Sequence, residues 1–309
     1  MVKLTKIYKN FNITSNHKSS IILIGNFDGV HLGHQKLFRL ATMYKKKYSL
    51  KIGVLTFEPM PKMFFNKKLE NFRISSLNQK ISLLKDLKVD FIINKKFDKK
   101  FSKIKSINFI KKIIGKKLKP RFIFVSNNFK FGNKREGDVN QLIKYESLCD
   151  YKVVKPLPLT INKKIASSSL IRNLLRKGEL KKVNKLLSRK WSIIGKVQKG
   201  KQLGKKIGFP TANIDIKNYI LARPGVYAVR AALLNQKKYF KGIANLGYRP
   251  TFNGKKLLLE VHLFNFSGNL YNKYLSVDFL KFIRNEKKFK DVKQLRKQIK
   301  IDLLKAKKI

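Results

Sequence analysis

The chain alternates between unbroken apolar runs and stretches with an apolar residue every three or four positions, and in its first half the two patterns take turns. Ile21 to Ile24 reads as a buried strand, and Leu37, Leu40, Ala41 and Tyr44 then share one helical face. Lys51 to Phe57 repeats the strand pattern and ends in Glu58-Pro59. Ser76, with Gln79 three residues on, has the form of a capping box, and Leu77, Ile81, Leu84 and Leu87 follow as an apolar face. Asp90 to Ile93 and Arg121 to Val125 are further strands. Between them Ser106 is expected to cap a helix carrying Ile107, Ile110, Ile113 and Ile114, with Gly115 at its end. Strands alternating with helices predict a parallel sheet covered on both faces, with ligands bound beyond the carboxyl ends of its strands.

A helix start at Ser167 to Arg176 and a short helix from Glu179 to Leu187 close this half. Near Ser188–Trp191 the pattern changes to short alternating segments: Val226 to Leu234, Tyr239 to Asn245, Leu257 to Phe264 and Leu275 to Ile283. Gly, Asn and Pro turns separate them, as in an antiparallel sandwich or barrel. A last helix begins at Asp291, with Val292, Leu295, Ile299 and Leu303 at helical spacing. The expected organisation is therefore an α/β domain over 1–187 and a mainly antiparallel domain over 188–309.

Composition narrows the class. A chain of 309 residues can bury two ordinary cores, and 43% hydrophobic residues fit a globular protein. The formal charge of +55 ordinarily points to a polyanion partner. Here the excess is lysine spread along the whole chain, accompanied by many Ile, Asn and Phe. These residues share A/T-rich codons, so mutational bias suffices; loose affinity for nucleic acid at low salt follows in either case. Cys149 is the single cysteine, so no intrachain disulfide forms. No run reaches the ~18 apolar residues that cross a bilayer. The first residues lack the apolar core of a signal peptide, and a cytoplasmic location is expected.

Three constellations carry chemistry. The first is Gly25-Asn-Phe-Asp-Gly-Val-His-Leu-Gly-His34, between a strand and a helix start. Backbone N–H groups at such a junction meet phosphate, and His31 and His34 can donate to oxygens that gain charge in nucleotidyl transfer. Ser168, Ser169 and Arg172 add hydroxyls and a guanidinium at another helix start, an arrangement suited to phosphate. The second is Gly200-Lys-Gln-Leu-Gly-Lys-Lys-Ile-Gly-Phe-Pro-Thr-Ala-Asn213, glycine-rich and basic but not a P-loop. The third is Glu260, which shares a strand face with His262, Leu258 and Phe264, whereas Leu257, Leu259, Val261 and Leu263 form the other. With only 17 acidic residues in the chain, a carboxylate on a partly apolar face is a general-base candidate.

The first motif resembles the His-x-Gly-His signature of nucleotidyltransferases, and its flanks resemble the bacterial bifunctional riboflavin kinase/FMN adenylyltransferases. The resemblance continues through Thr56-Phe-Glu-Pro59, Asn128-Phe-Lys-Phe-Gly132, Lys134-Arg-Glu-Gly-Asp138 and Ser167-Ser-Ser-Leu-Ile-Arg172. It extends to Gly208-Phe-Pro-Thr-Ala-Asn213, Gly242 to Phe252 and Arg284-Asn-Glu-Lys-Lys-Phe289. It implies a Rossmann-like nucleotidyltransferase domain followed by a β-barrel riboflavin kinase domain with a terminal helix. It also implies riboflavin, FMN and ATP as substrates, with Mg²⁺ accompanying ATP.

Under it His31 and His34 would stabilise the adenylyl transition state. Gly25, Asn26, Phe27, Asp28, Gly33, Ser168, Ser169 and Arg172 would hold ATP, while Asn128 and Arg249 would contact flavin. In the kinase domain Gly208, Thr211 and Asn213 would hold ATP, Thr211 and Asn213 would ligate Mg²⁺, and Glu260 would activate the ribityl 5′-hydroxyl.

The chain departs from the family pattern at Met60, where histidine is common, at Ser126, where glycine is common, and at Ser169, where threonine is usual. Asn272 stands where glycine is frequent, and asparagine tolerates a left-handed backbone. No specific nucleic acid and no membrane partner is expected, and weak self-association is left open. Two other readings compete: a riboflavin kinase with a weakened adenylyltransferase, and a basic RNA-binding protein on an enzyme fold.

Overall fold

The computed structural model describes residues 4–69, 72–200, 202–217, 219–234, 236, 238–251 and 254–309, with the side chains of 249–251 and 254–256 outside the description. By contact the chain forms two units, one of Met1–Leu69 with Leu77–Ser167, the other of Glu70–Ser76 with Ser168–Ile309.

The first unit holds a six-stranded sheet. Its strands are β1 (Lys6–Tyr8), β2 (Ile21–Ile24), β3 (Ile52–Glu58), β4 (Phe91–Lys96), β5 (Phe122–Phe124) and β6 (Lys152–Val154). The spatial order is β1-β4-β3-β2-β5-β6, and every pairing is parallel. From β2 the chain runs to β3 and β4 on one side, then returns to lay β5 on the other, so the order reverses at β2. A crevice opens beyond the strand ends at such a reversal.

Alternate residues of each strand feed two cores. Ile22, Ile24, Leu55, Phe91 and Ile123 face one, with Ile110 and Ile114 packed on them. Ile21, Leu23, Val54, Ile92 and Phe124 face the other, under Leu37, Phe38 and Ala41 of α1 (Leu32–Tyr48) and Leu84 of α2 (Leu77–Asp86). Burial on both faces explains why these strands read as solid apolar runs.

Two expected helix signals are corrected. Gly115 does not end its helix: α3 (Phe109–Leu118) runs past it as a π-helix and ends in left-handed Lys119, whose N–H donates to the Ile114 carbonyl. A Cβ at Gly115 would lie 2.9 Å from the Cys149 sulfur, so the glycine admits a close neighbour instead of a turn. Ser106 is likewise the first residue of the preceding helical turn, not its cap. Its N–H donates to Glu136 Oε1 at 2.6 Å, so a carboxylate thirty residues on does the capping.

The second unit contains α4 (Ser168–Arg176), α5 (Leu180–Leu187), a closed barrel and α6 (Val292–Lys307). The barrel strands are β7 (Ser192–Gln198), β8 (Ala212–Asp215), β9 (Gly225–Leu233), β10 (Phe240–Thr251), β11 (Gly254–Leu263) and β12 (Tyr274–Arg284), in the order β7-β8-β11-β10-β9-β12. All barrel pairings are antiparallel. Ile193, Ile214, Tyr227, Leu246, Leu259, Val277 and Phe279 are each fully buried. On the outer surface Val226, Ala228 and Ile243 are covered by Ile299, Leu303 and Ala306 of α6. Asn272 takes φ +63°, the left-handed turn expected of it. Val292, expected on the apolar face of α6, is 56% exposed at its first turn.

Segment 72–76 belongs to this unit. Arg73 bridges to Tyr219, the Arg73 carbonyl accepts from the Ile220 N–H at 2.7 Å, and the Ile74 carbonyl accepts from the Trp191 indole at 2.9 Å. Trp191 and Ile74 are both buried.

Candidate functional sites

In the first unit the Gly25–His34 motif turns out of β2, at the strand where the sheet order reverses. The turn winds tightly, with positive φ at Phe27, Gly29 and Val30, and the Val30 N–H donates to the Phe27 carbonyl at 3.2 Å. Phe27 is buried and meets the His34 and Phe38 rings edge-on. Asp28 is buried, and Asn26 is exposed. The Asn26 carbonyl accepts from the Thr56 hydroxyl at 3.4 Å, which in turn accepts from the buried Lys80 ammonium at 3.1 Å.

His31 is the N-cap residue of α1 and His34 lies in its first turn. Their rings stack with centroids 3.7 Å apart. Burial, with the adjoining His31 ring adding to it, holds the His34 imidazole well below the ordinary histidine range. At neutral pH His34 is therefore a neutral ring, and its Nδ1 is buried without a hydrogen-bond partner among the described residues. A Cβ at Gly33 would lie 2.7 Å from the Ala166 carbonyl oxygen and 3.1 Å from the His31 ring. Only glycine lets the backbone pass there. The arrangement offers an oxygen-rich anion two imidazoles and a helix N-terminus.

Beyond β5, Asn128 lies in an exposed turn, its Oδ1 accepting from Ser126 Oγ at 2.9 Å. The serine at 126 thus donates to the amide oxygen, and the amide N–H groups take no part in this contact. Phe57, Phe97, Phe101, Phe129 and Phe131, with Lys130 and Arg135, line a pocket beside it. Sequence periodicity gave no sign of this aromatic cluster, because its members come from three separate segments, around Phe57, Phe97–Phe101 and Phe129–Phe131. Met60 is buried and N-caps the short helix Pro61–Phe65, where it serves packing.

In the second unit α4 starts at Ser168, and Ser169 is exposed. Arg172 is buried; its Nε donates to the Phe72 carbonyl at 2.8 Å and its guanidinium lies 3.7 Å from the Phe72 ring centre. That contact fixes the plane of the guanidinium.

The barrel carries a cavity of about 380 Å³ on its outer face, walled by α6 and by the segment after Gln202. Glu260, Thr211, Asn245 and His262 line it together with Ile207, Phe209, Val226, Ile243, Leu295 and Ile299. The strand face read from the sequence is the face observed: Leu257, Leu259, Val261 and Leu263 are buried, while Glu260 and His262 look into the cavity. Asn213 on β8 pairs in register with Glu260 on β11, which pairs with Asn245 on β10.

Gly208 takes φ +87°, and Gly204 tucks against the Phe209 carbonyl, where a Cβ would come within 2.4 Å. His262 Nδ1–H donates to the Pro210 carbonyl at 2.8 Å, tying this loop to β11. Asn213 lies on β8, and Thr211, two residues earlier, stands just before the strand begins and lines the cavity. Among the described residues no group of three or more His, Cys, Asp and Glu could hold a metal ion. The local donors fit a hard cation that brings phosphate ligands with it.

The far wall is held by Arg284. Its Nε and Nη2 donate to the buried Asp302 carboxylate at 2.7–3.0 Å, and Gln298 Nε2 donates to Asp302 Oδ1 at 2.9 Å. Arg249 has its backbone in β10, and its side chain lies outside the described residues.

Residues 13–170 match the family model of FAD synthetase, and residues 187–309 that of riboflavin kinase. A bifunctional riboflavin kinase/FMN adenylyltransferase of Buchnera aphidicola subsp. Schizaphis graminum is 40% identical over 297 residues, covering 94% of each chain. The protein of that name from Haemophilus influenzae is 38% identical, covering 93% of this chain and 92% of that one. That from Bacillus subtilis is 33% identical, covering 94% and 92%. A crystal structure described as a macrolide-efflux protein from Streptococcus pneumoniae superposes with a TM-score of 0.82 at 29% identity, covering 96% of this chain and 97% of that one.

Proposed function

The chain belongs to the bifunctional riboflavin kinase/FMN adenylyltransferase family, and on that premise we propose how its residues divide the work. It makes FMN from riboflavin and FAD from FMN, using ATP in both steps. The observation that carries the assignment is that each family match falls on its own site, the FAD synthetase match on the histidine turn and the riboflavin kinase match on the barrel cavity.

In the barrel, riboflavin lies along the apolar wall formed by Ile207, Phe209, Ile243, Leu295 and Ile299, with its ribityl end toward Glu260. Glu260 takes the proton of the 5′-hydroxyl as that oxygen attacks the γ-phosphorus of ATP, and ADP leaves. The glycine turns at 204 and 208 hold the loop close to the phosphates. Thr211 and Asn213 would hold Mg²⁺, which would supply charge neutralisation for the transferring phosphoryl group.

In the first unit the FMN phosphate attacks the α-phosphorus of a second ATP, pyrophosphate leaves and FAD forms. His31 and His34 stabilise the charge that builds on the α-phosphate oxygens, and the Gly25–Gly33 turn supplies backbone N–H groups. A neutral His34 donates a single N–H, so its part is hydrogen bonding and not fixed charge. The phenylalanine pocket takes the isoalloxazine ring by stacking, and Asn128 meets the flavin through its amide N–H groups.

Incubation with riboflavin and Mg-ATP, followed by chromatographic separation of flavins, tests the whole reading. FMN should appear first and FAD after it. FMN that accumulates without FAD, even when FMN is added, would leave the kinase alone. His31→Ala should lower FAD formation about 10²–10³-fold and spare FMN formation. Glu260→Ala should lower FMN formation about 10²–10⁴-fold and spare FAD formation from supplied FMN. A folded variant that lost both activities would overturn the two-site assignment.

A further inference from the structure

We propose that Asn245 is a substrate-binding residue of the kinase site, and that its side-chain amide recognises the hydroxyls of the ribityl chain. The inference rests on the kinase reading of the barrel cavity.

Asn245 stands next to the general base in the one direction the sequence does not display. On β10 it is the register partner of Glu260 on β11, and Glu260 is in turn the partner of Asn213 on β8. Three polar side chains therefore form a row across adjacent strands on the outer barrel face. Cβ atoms of directly paired residues stand about 4.5–5.5 Å apart, within reach of a shared ligand. The flanking residues Ala244 and Leu246 point into the barrel and are buried. Two positions earlier, on the same face as Asn245, Ile243 is part of the apolar patch under α6.

The hydrogen-bond account of this amide is incomplete. Asn245 lines the cavity, yet its Oδ1 is sealed from solvent and has no partner among the described residues. A buried acceptor in that condition costs folding free energy that an apolar residue of the same size would not. The cost is recovered when a ligand brings a donor. Phosphate oxygens and the Glu260 carboxylate only accept, so neither the ATP phosphates that meet the base nor the base itself can satisfy Oδ1. A polyol can, because each hydroxyl both donates and accepts. The flavin ring is accounted for by the apolar wall, which leaves the ribityl chain as the part of the substrate with the matching chemistry.

Steady-state kinase rates of Asn245→Ala and Asn245→Ser, measured against riboflavin at saturating Mg-ATP and against ATP at saturating riboflavin, test the proposal. Binding of lumiflavin, which has the ring but no ribityl chain, is followed by flavin fluorescence on the same proteins. Asn245→Ala should raise the KM for riboflavin about tenfold, with the KM for ATP, the affinity for lumiflavin and adenylyl transfer to supplied FMN unchanged. Asn245→Ser, which keeps a small hydroxyl, should recover part of the loss, and it carries the test if the alanine variant melts early. An unchanged KM for riboflavin overturns the proposal. So does a matching rise in the KM for ATP or a matching loss of lumiflavin affinity, since either shows a general disturbance of the cavity. If the unmodified protein forms no FMN at all, the kinase reading itself has failed.

Discussion

In the proposed adenylyl-transfer site the His31 and His34 rings stack with centroids 3.7 Å apart. Burial holds the His34 imidazole low, so between the ordinary histidine pKa and its own depressed value the unfolded chain binds a proton that the folded one does not. The stability tied to this neutral ring is complete above about pH 6.5 and is lost as pH falls below it. In an NMR titration the His34 ring signal, identified by its absence in His34→Gln, should stay neutral as pH drops through 6; a midpoint near the ordinary value would refute the burial argument. Gly33 is a second single-residue dependence. An alanine there meets a backbone carbonyl at 2.7 Å and an imidazole at 3.1 Å at once. Gly33→Ala should lower stability by about 1–3 kcal/mol in thermal unfolding, and FAD formation should fall while FMN formation persists. Both histidines and the face of Glu260 were legible in the sequence, the first by motif and the second by period two. Asn245 was not, because its meaning lies in a register partner fifteen positions along the chain and in an acceptor left unsatisfied.

Among the elements, α3 shows where periodicity stops being informative. Ile110, Ile113 and Ile114 are buried as a helical face requires, but the spacing of so few residues does not distinguish a π-helix from an α-helix, and the glycine signal was misplaced. Gly115→Ala would gain about 1 kcal/mol from helix propensity alone. The 2.9 Å approach to the Cys149 sulfur reverses the sign, so chemical denaturation should show a net loss, and Cys149→Ala should restore much of it. The terminal helix depends on a charge pair that pattern reading could not see. Asp302 is 1% exposed and accepts from Arg284 and Gln298. Removing one partner of a buried pair costs about 3–5 kcal/mol, so Asp302→Ala should detach the α6 wall of the cavity. Kinase activity should drop in the flavin assay, and adenylyl transfer to supplied FMN should continue.

For the whole molecule, the alternation of patterns gave the parallel sheet, and the switch near residue 188 gave the barrel. Two short edge strands, β1 and β6, and the first two barrel strands, β7 and β8, escaped because they carry too few residues or sit beside glycine-rich loops. The charge of +55 did not call for a nucleic-acid fold, and no helix of the described residues is long and apolar enough to cross a membrane. Binding to random RNA should be measurable at low ionic strength and fall steeply as salt rises, without sequence preference. The assignment of segment 72–76 was invisible to pattern reading, since it lies between elements of the first sheet and yet packs with Trp191, Tyr219 and Ile220. That placement has a consequence in time. On the ribosome the segment emerges long before Arg172, Trp191, Tyr219 and Ile220 have been added, so a nascent chain displays Phe72 and Ile74 as an apolar stretch whose full set of partners exists only after residue 220. That interval is when a growing chain of this kind most needs a chaperone, and ribosomes stalled at residue 187 should yield chains that bind one more tightly than ribosomes stalled past residue 300.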